Sequence, residues 1–250
     1  MRGPHGRLAL HGLSLLALLC GALLSGSFLD SLTALTFADA RAVLGIPNFL
    51  NVASNLAFLL VGAAGLALCA GARRPPALAA WRLFYAGMVL TAFGSGWFHL
   101  APSPDSIVWD RLGMIAAFVG LLMAVLQVSS GVTLGWSLLA PALALGVASV
   151  LWWRYSGDLR PYAFVQLAPL TATAVSLALG WLPLGLRRAL TASLVLYVLA
   201  KLAETFDAAV YALMAHALSG HTLKHLLAAA AAAVIIAAQR RGAAARARPV

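Results

Sequence analysis

Long apolar runs alternate with short polar connections along this chain, and the runs have membrane-crossing length. At about 1.5 Å of rise per residue, roughly 20 apolar residues in a helix cross the hydrocarbon core of a bilayer. Eight runs fit, at about residues 8–29, 48–70, 80–100, 107–128, 133–153, 162–182, 189–210 and 221–238. The connections hold the turn formers and most of the charge. They include Gly71–Pro76, Ala101–Asp105, the stretch with Arg154, Asp158, Arg160 and Pro161, and Pro183 with Arg187 and Arg188. Residues 30–46, with Asp30, Asp39 and Arg41, are more polar and are expected to form a short interfacial helix ending at Gly45-Ile46-Pro47. The expected fold class is all-α: a polytopic transmembrane helical bundle with a seven-helix core and one extra N-terminal helix. Residues 1–46 would be the N-terminal helix, or a signal-like segment, with its linker. Residues 47–240 would be the core and 241–250 a basic tail.

Composition strengthens that reading. Of the 250 residues, 62% are hydrophobic and only 10% charged, against about 25% charged in soluble domains. Short alternating segments of the β-barrel kind are absent. A net charge of +10 would suit nucleic acid, but its distribution points to membrane topology and no nucleic-acid partner is expected. With the N-terminus inside and strict alternation, Arg2, Arg7, Arg73, Arg74, Arg82, Arg187, Arg188, Arg240, Arg241, Arg246 and Arg248 all fall on the inner side. The seven acidic residues fall on the outer side or in the outer halves of helices. Both termini are thus expected in the cytoplasm, provided the first helix is retained. The leader and Ser25-Gly26-Ser27 would also suit a cleaved signal peptide. Cys20 and Cys69 lie inside apolar runs and read as small buried hydrophobes.

The same alternation carries Ser95, His99, Asp110, His221 and His225 to one side. Ser95 and His99 are four apart, as are His221 and His225, so each pair shares a helix face. A lone histidine at a helix end is more often packed than functional. Three from two helices at matched depth suit a catalytic zinc site, with three nitrogen ligands and a fourth position for water. The zinc-protease helix pattern has its general base directly after the first histidine; Thr222 stands there, so Asp110 is the candidate acid/base. Ser95 is placed to stabilise a substrate carbonyl or the oxyanion formed from it. Asn51, Ser54 and Asn55 in the second run, and Glu204 and Asp207 in the seventh, are candidates for a supporting layer around the metal. For the second-run residues the plainer role is hydrogen bonding between helices. Lys201 and Glu204, three apart, could form a structural ion pair.

These motifs resemble the CREST superfamily of membrane hydrolases, and within it the alkaline ceramidases. Asn51-Val52-Ala53-Ser54-Asn55 is similar to their Asn-x2-Ser-Asn element, and Gly94-Ser95-Gly96-Trp97-Phe98-His99 to their Gly-Ser-x2-Phe-His element. The late His221-x3-His225 completes the set, and the resemblance covers about residues 47–240. It implies His99, His221 and His225 on Zn2+, Asp110 as acid/base and Ser95 beside the carbonyl. The implied reaction is hydrolysis of a ceramide amide, drawn from the bilayer, to a sphingoid base and a fatty acid. Family members bind Ca2+ partly through a Glu ahead of Asn-x2-Ser-Asn. Asn48 stands there, and Asp30 and Asp39 do not reproduce the family's acidic stretch, which leaves a calcium site without its ligands.

Two other readings fit the same pattern. One is a receptor-like or transport bundle with a metal site and no turnover; the other is a hydrolase of a different lipid amide or ester. A retinal-type Schiff base would need Lys201 or Lys224. Lys201 has Glu204 as an ion-pair partner, and Lys224 is expected near the interface.

Overall fold

The computed structural model of the chain describes residues 3–26, 35–71 and 75–245. Asp30, Arg2, Arg73, Arg74, Arg246 and Arg248, which entered the charge argument, lie outside the described residues. The helices are α1 (Pro4–Leu24), α2 (Phe49–Ala53), α3 (Leu56–Ala70), α4 (Leu78–Leu100), α5 (Ser106–Ser130), α6 (Trp136–Ser156), α7 (Arg160–Ala178), α8 (Leu184–Thr205), α9 (Asp207–Leu213) and α10 (Gly220–Ala245). Five spans are long and apolar enough to cross a membrane: α1, α2 with α3, α5, α6 and α10. A sixth is added if the bent pair α8 and α9 counts as one. This is an all-α membrane bundle.

The core closes as a ring in which α3, α4, α5, α7, α8 and α10 each touch the next, and α10 returns to α3. Outside it, α6 rests on α5 and α7, and α1 packs on the same two helices as the extra element. Leu60, Phe93, Leu145 and Val195 are exposed on the outer surface, as lipid-facing residues would be. The α4–α5 pair is the tightest part of the ring. A Cβ on Gly94 would stand 2.2 Å from the Trp109 carbonyl oxygen, so only glycine permits this approach.

The bundle has two ends of different chemistry. At one end Arg154 pairs with Asp105 at 2.7 Å, and Arg160 pairs with Asp158 and reaches the Leu23 carbonyl. Exposed Trp97, Trp109, Trp152 and Tyr155 gather at the same level, as in the aromatic belt of a membrane interface. At the other end Arg7 donates to the Ser129 carbonyl at 3.1 Å, and Arg82 to that of Cys69 at 3.4 Å.

Two expectations need correction. No α-helix occurs over residues 35–46; the part over 30–34 lies outside the described residues. Asp39 accepts from the backbone N–H and guanidinium of Arg41, while Leu44 and Gly45 both adopt left-handed backbone. Those local bonds and turns compete successfully with a helix. The second span is present as Phe49–Ala70, with Ser54 and Asn55 turning their side chains back onto the Asn51 carbonyl. The seventh does not run straight from 189 to 210: it ends at Thr205, and α9 leaves at 91°.

Candidate metal centre

The site lies at the aromatic-belt end, and backbone packing sets its geometry. Gly94 seats α4 on the Trp109 and Asp110 backbone, which brings Ser95 to Asp110. Ser95 and Asp110 line one cavity. One turn further on, at the end of α4, stands His99, fully buried. A second close approach positions its partners: a Cβ on Gly220 would stand 2.1 Å from the Ala203 carbonyl oxygen, so α10 begins directly against α8. His221 and His225 follow on the inward face of α10.

His99, His221 and His225 each offer one ligand nitrogen, and these atoms lie within 4.8 Å of one another. The Nε2 atoms of His99 and His221 are 3.2 Å apart. On His225 the Nδ1 is 2.7 Å from the Ser54 hydroxyl oxygen, and Ser54 itself donates to the Asn51 carbonyl at 3.1 Å. The His225 Nδ1–H is therefore the donor, an assignment made from the network, and the Nε2 lone pair is left for an ion. Such an outer hydrogen bond fixes the tautomer and orientation of a ligating imidazole. His99 is held differently. Its ring lies between Phe37 and Phe98, at centroid distances of 4.6 and 5.0 Å, and its buried Nδ1 makes no hydrogen bond. Three buried imidazoles with converging nitrogens fit a metal ion, and their donor set suits a first-row transition metal.

The expected supporting residues divide. Ser54 touches a ligand directly. Asn51 accepts from Thr222 at 2.7 Å, between the two α10 histidines, and donates to the Asp39 carbonyl at 3.2 Å. The Asn55 side-chain amide donates to the Asn51 carbonyl at 2.7 Å, with its own Oδ1 buried and unpaired. Asp207 accepts from the His221 backbone N–H at 2.7 Å and from the Ala38 N–H at 2.8 Å, capping α10 while holding the 35–46 segment over the site. Glu204 makes no contact with a histidine. It pairs with Lys201, as expected, and also with Lys224 at 2.9 Å.

The 35–46 segment acts as a strap. Phe37 stacks edge-on against both His99 and His221. The Arg41 guanidinium holds the nearly buried Asp39 carboxyl below the usual carboxylate range, and it also reaches the Ala217 carbonyl at 3.2 Å. Asn48 has left-handed backbone and donates to the His99 carbonyl at 2.9 Å, which ties this segment to the end of α4.

From the histidines a cavity of about 630 Å³ extends into the ring, a volume in the range of small-molecule sites. Ser95, Asp110, His221 and His225 line its polar mouth, and Phe84, Met88, Leu121, Leu170 and Leu190 its apolar depth. The sequence argument missed several lining residues. Arg111 lies 3.5 Å from the Trp153 ring centroid, and Tyr162, Gln166 and Tyr197 add hydroxyl and amide groups. Lys224 also lines the cavity, with Nζ 2.9 Å from the His221 Nε2. Its spacing of three from His221 was the available signal, since it puts both on one helix face. No protein-family description matches this chain, and no curated protein matches its sequence.

Proposed function

We propose that the chain is a zinc-dependent membrane amidohydrolase that cleaves the amide bond of ceramide-like lipids, as the alkaline ceramidases its motifs resemble do. The observation that carries this reading is the meeting of three converging imidazoles with a largely apolar cavity that His221, His225, Asp110 and Ser95 line. A zinc ion on His99, His221 and His225 would supply Lewis acidity and a water whose pKa falls to roughly 7. Asp110 takes a proton from the attacking water as its oxygen bonds to the carbonyl carbon. It then delivers that proton to the amide nitrogen as the C–N bond breaks, releasing an amine and a carboxylic acid. Ser95, four residues before His99 on α4 and lining the same cavity, donates to the developing oxyanion. The apolar depth of the cavity takes the acyl chain, and the Phe37 strap limits bulk water at the mouth.

We further infer that this end faces the periplasm or lumen and that both termini are cytoplasmic. Among the described residues, Arg7, Arg82, Arg187, Arg188, Arg240 and Arg241 lie at or near the opposite end, as positive-inside insertion requires. Arg41, Arg154 and Arg160 at the site end each pair with an aspartate. The test is mass spectrometry of purified protein incubated with mixed bilayer amides. Wild type is expected to release free sphingoid base and fatty acid, and His99→Ala none. Equal product from both proteins would refute the assignment.

A further inference from the structure

The charge balance of the cavity points beyond amide chemistry to the kind of lipid it takes. The charged groups lining it are three cations, Arg111, Lys201 and Lys224, and three carboxylates, Asp110, Glu204 and Asp207. Their formal charges cancel. A divalent cation on three neutral imidazoles therefore adds two positive charges with no lining carboxylate to match them. Uncompensated charge in an apolar enclosure is costly, so the loaded site favours an anionic partner.

Lys224 is the residue placed to receive it. Its ammonium stands 2.9 Å from the His221 Nε2 and 2.9 Å from Glu204, whose other oxygen is held by Lys201. Occupation of the His221 nitrogen by an ion leaves that lysine contact without an acceptor and frees an ammonium donor beside the metal. Glu204, shared between two lysines, neutralises only one of them. The apolar wall begins on the same helix: Ala232 also lines the cavity, eight residues and roughly 12 Å beyond Lys224. Charge at one end and hydrocarbon along the rest describe an amphiphile with a single carboxylate.

We propose that Lys224, backed by the Glu204–Lys201 pair, binds the carboxylate of a long-chain amphiphile at the metal end of the cavity. Two sources share this chemistry: the headgroup of an acylated amino acid, and the fatty acid released when an amide is cut. The proposal rests on the metal-site reading but not on turnover. Its test is binding, read as thermal shift and titration of detergent-purified, zinc-loaded protein with N-palmitoylglycine, palmitate and hexadecanol. Lys224→Gln and Lys224→Arg are compared with wild type, after metal content is checked for each.

Both carboxylates should bind wild type at least about tenfold more tightly than the alcohol, and Lys224→Gln should lose that margin, one charge-assisted hydrogen bond being worth this much. Lys224→Arg should retain most of it. Tighter binding of N-palmitoylglycine than of palmitate assigns the carboxylate to a substrate headgroup; the reverse assigns it to the product. Equal affinity for hexadecanol, or an undiminished margin in Lys224→Gln, overturns the proposal. If Lys224→Gln does not fold, Lys224→Met takes its place and is read against the same margin. Carboxylate selectivity without hydrolysis would remove only the amidase reading. Hydrolysis of neutral amides without carboxylate selectivity would remove only this one.

Discussion

Two buried clusters of histidine with serine lie at opposite ends of the bundle, and their chemistry differs. At the arginine-rich end His11 of α1 places Nε2 2.9 Å from the Ser129 hydroxyl oxygen and 3.3 Å from that of Ser176, against the edge of Trp181. At the other end His225 meets Ser54, but the ring nitrogen left over turns toward two further imidazoles and a cavity. His11 spends its nitrogen on the hydroxyls of α5 and α7 and ties the extra helix to the core. The His225 serine bond fixes a tautomer for something else to use. Burial and a hydroxyl partner are common to both, so neither marks a site. What separates them is convergence of several ligand nitrogens on open space beside a carboxylate.

The contrast can be broken or sharpened by substitution. The largest expected effect is Asp110→Asn, which removes the proton carrier while leaving the nitrogens in place. Turnover should fall by about 10²–10⁴, with zinc content unchanged; near-normal turnover in the metal-loaded variant would remove Asp110 from its role. Next is Ser54→Ala, which takes the hydrogen-bond acceptor from His225 Nδ1. Zinc affinity, measured by chelator competition, should drop by about 10- to 100-fold, and an unchanged affinity would show that the serine bond does not tune the ligand. The smallest is His11→Leu. Loss of its interhelical hydrogen bonds should cost about 1 kcal/mol, seen as a modest fall in Tm, with zinc content untouched. Loss of zinc in that variant would erase the distinction between the two clusters.

The sequence made the rods and the histidine set legible for the same reason: both are written in local spacing. Apolar runs of membrane-crossing length and the four-residue steps from Ser95 to His99 and from His221 to His225 need no knowledge of the fold. The strap was not legible. Its helix is lost to a side-chain chelate between Asp39 and Arg41 and to left-handed turns at Leu44 and Gly45, and its position depends on Asp207, 169 residues from the Ala38 amide it accepts. The bend after Thr205 belongs to the same set of tertiary contacts, because Asp207 can cap α10 only where the chain has left the axis of α8. The cavity that Lys224 lines was not legible either, because it forms between helices far apart in the sequence.

The account depends most on the three imidazoles holding an ion, and elemental analysis of detergent-purified protein tests that directly. About one zinc per chain is expected in wild type, as for a site of three protein nitrogens, and almost none in a His221→Ala/His225→Ala variant that remains folded. Zinc at well under half an equivalent in wild type, or unchanged in the double variant, would contradict the assignment of His99, His221 and His225 as a metal centre.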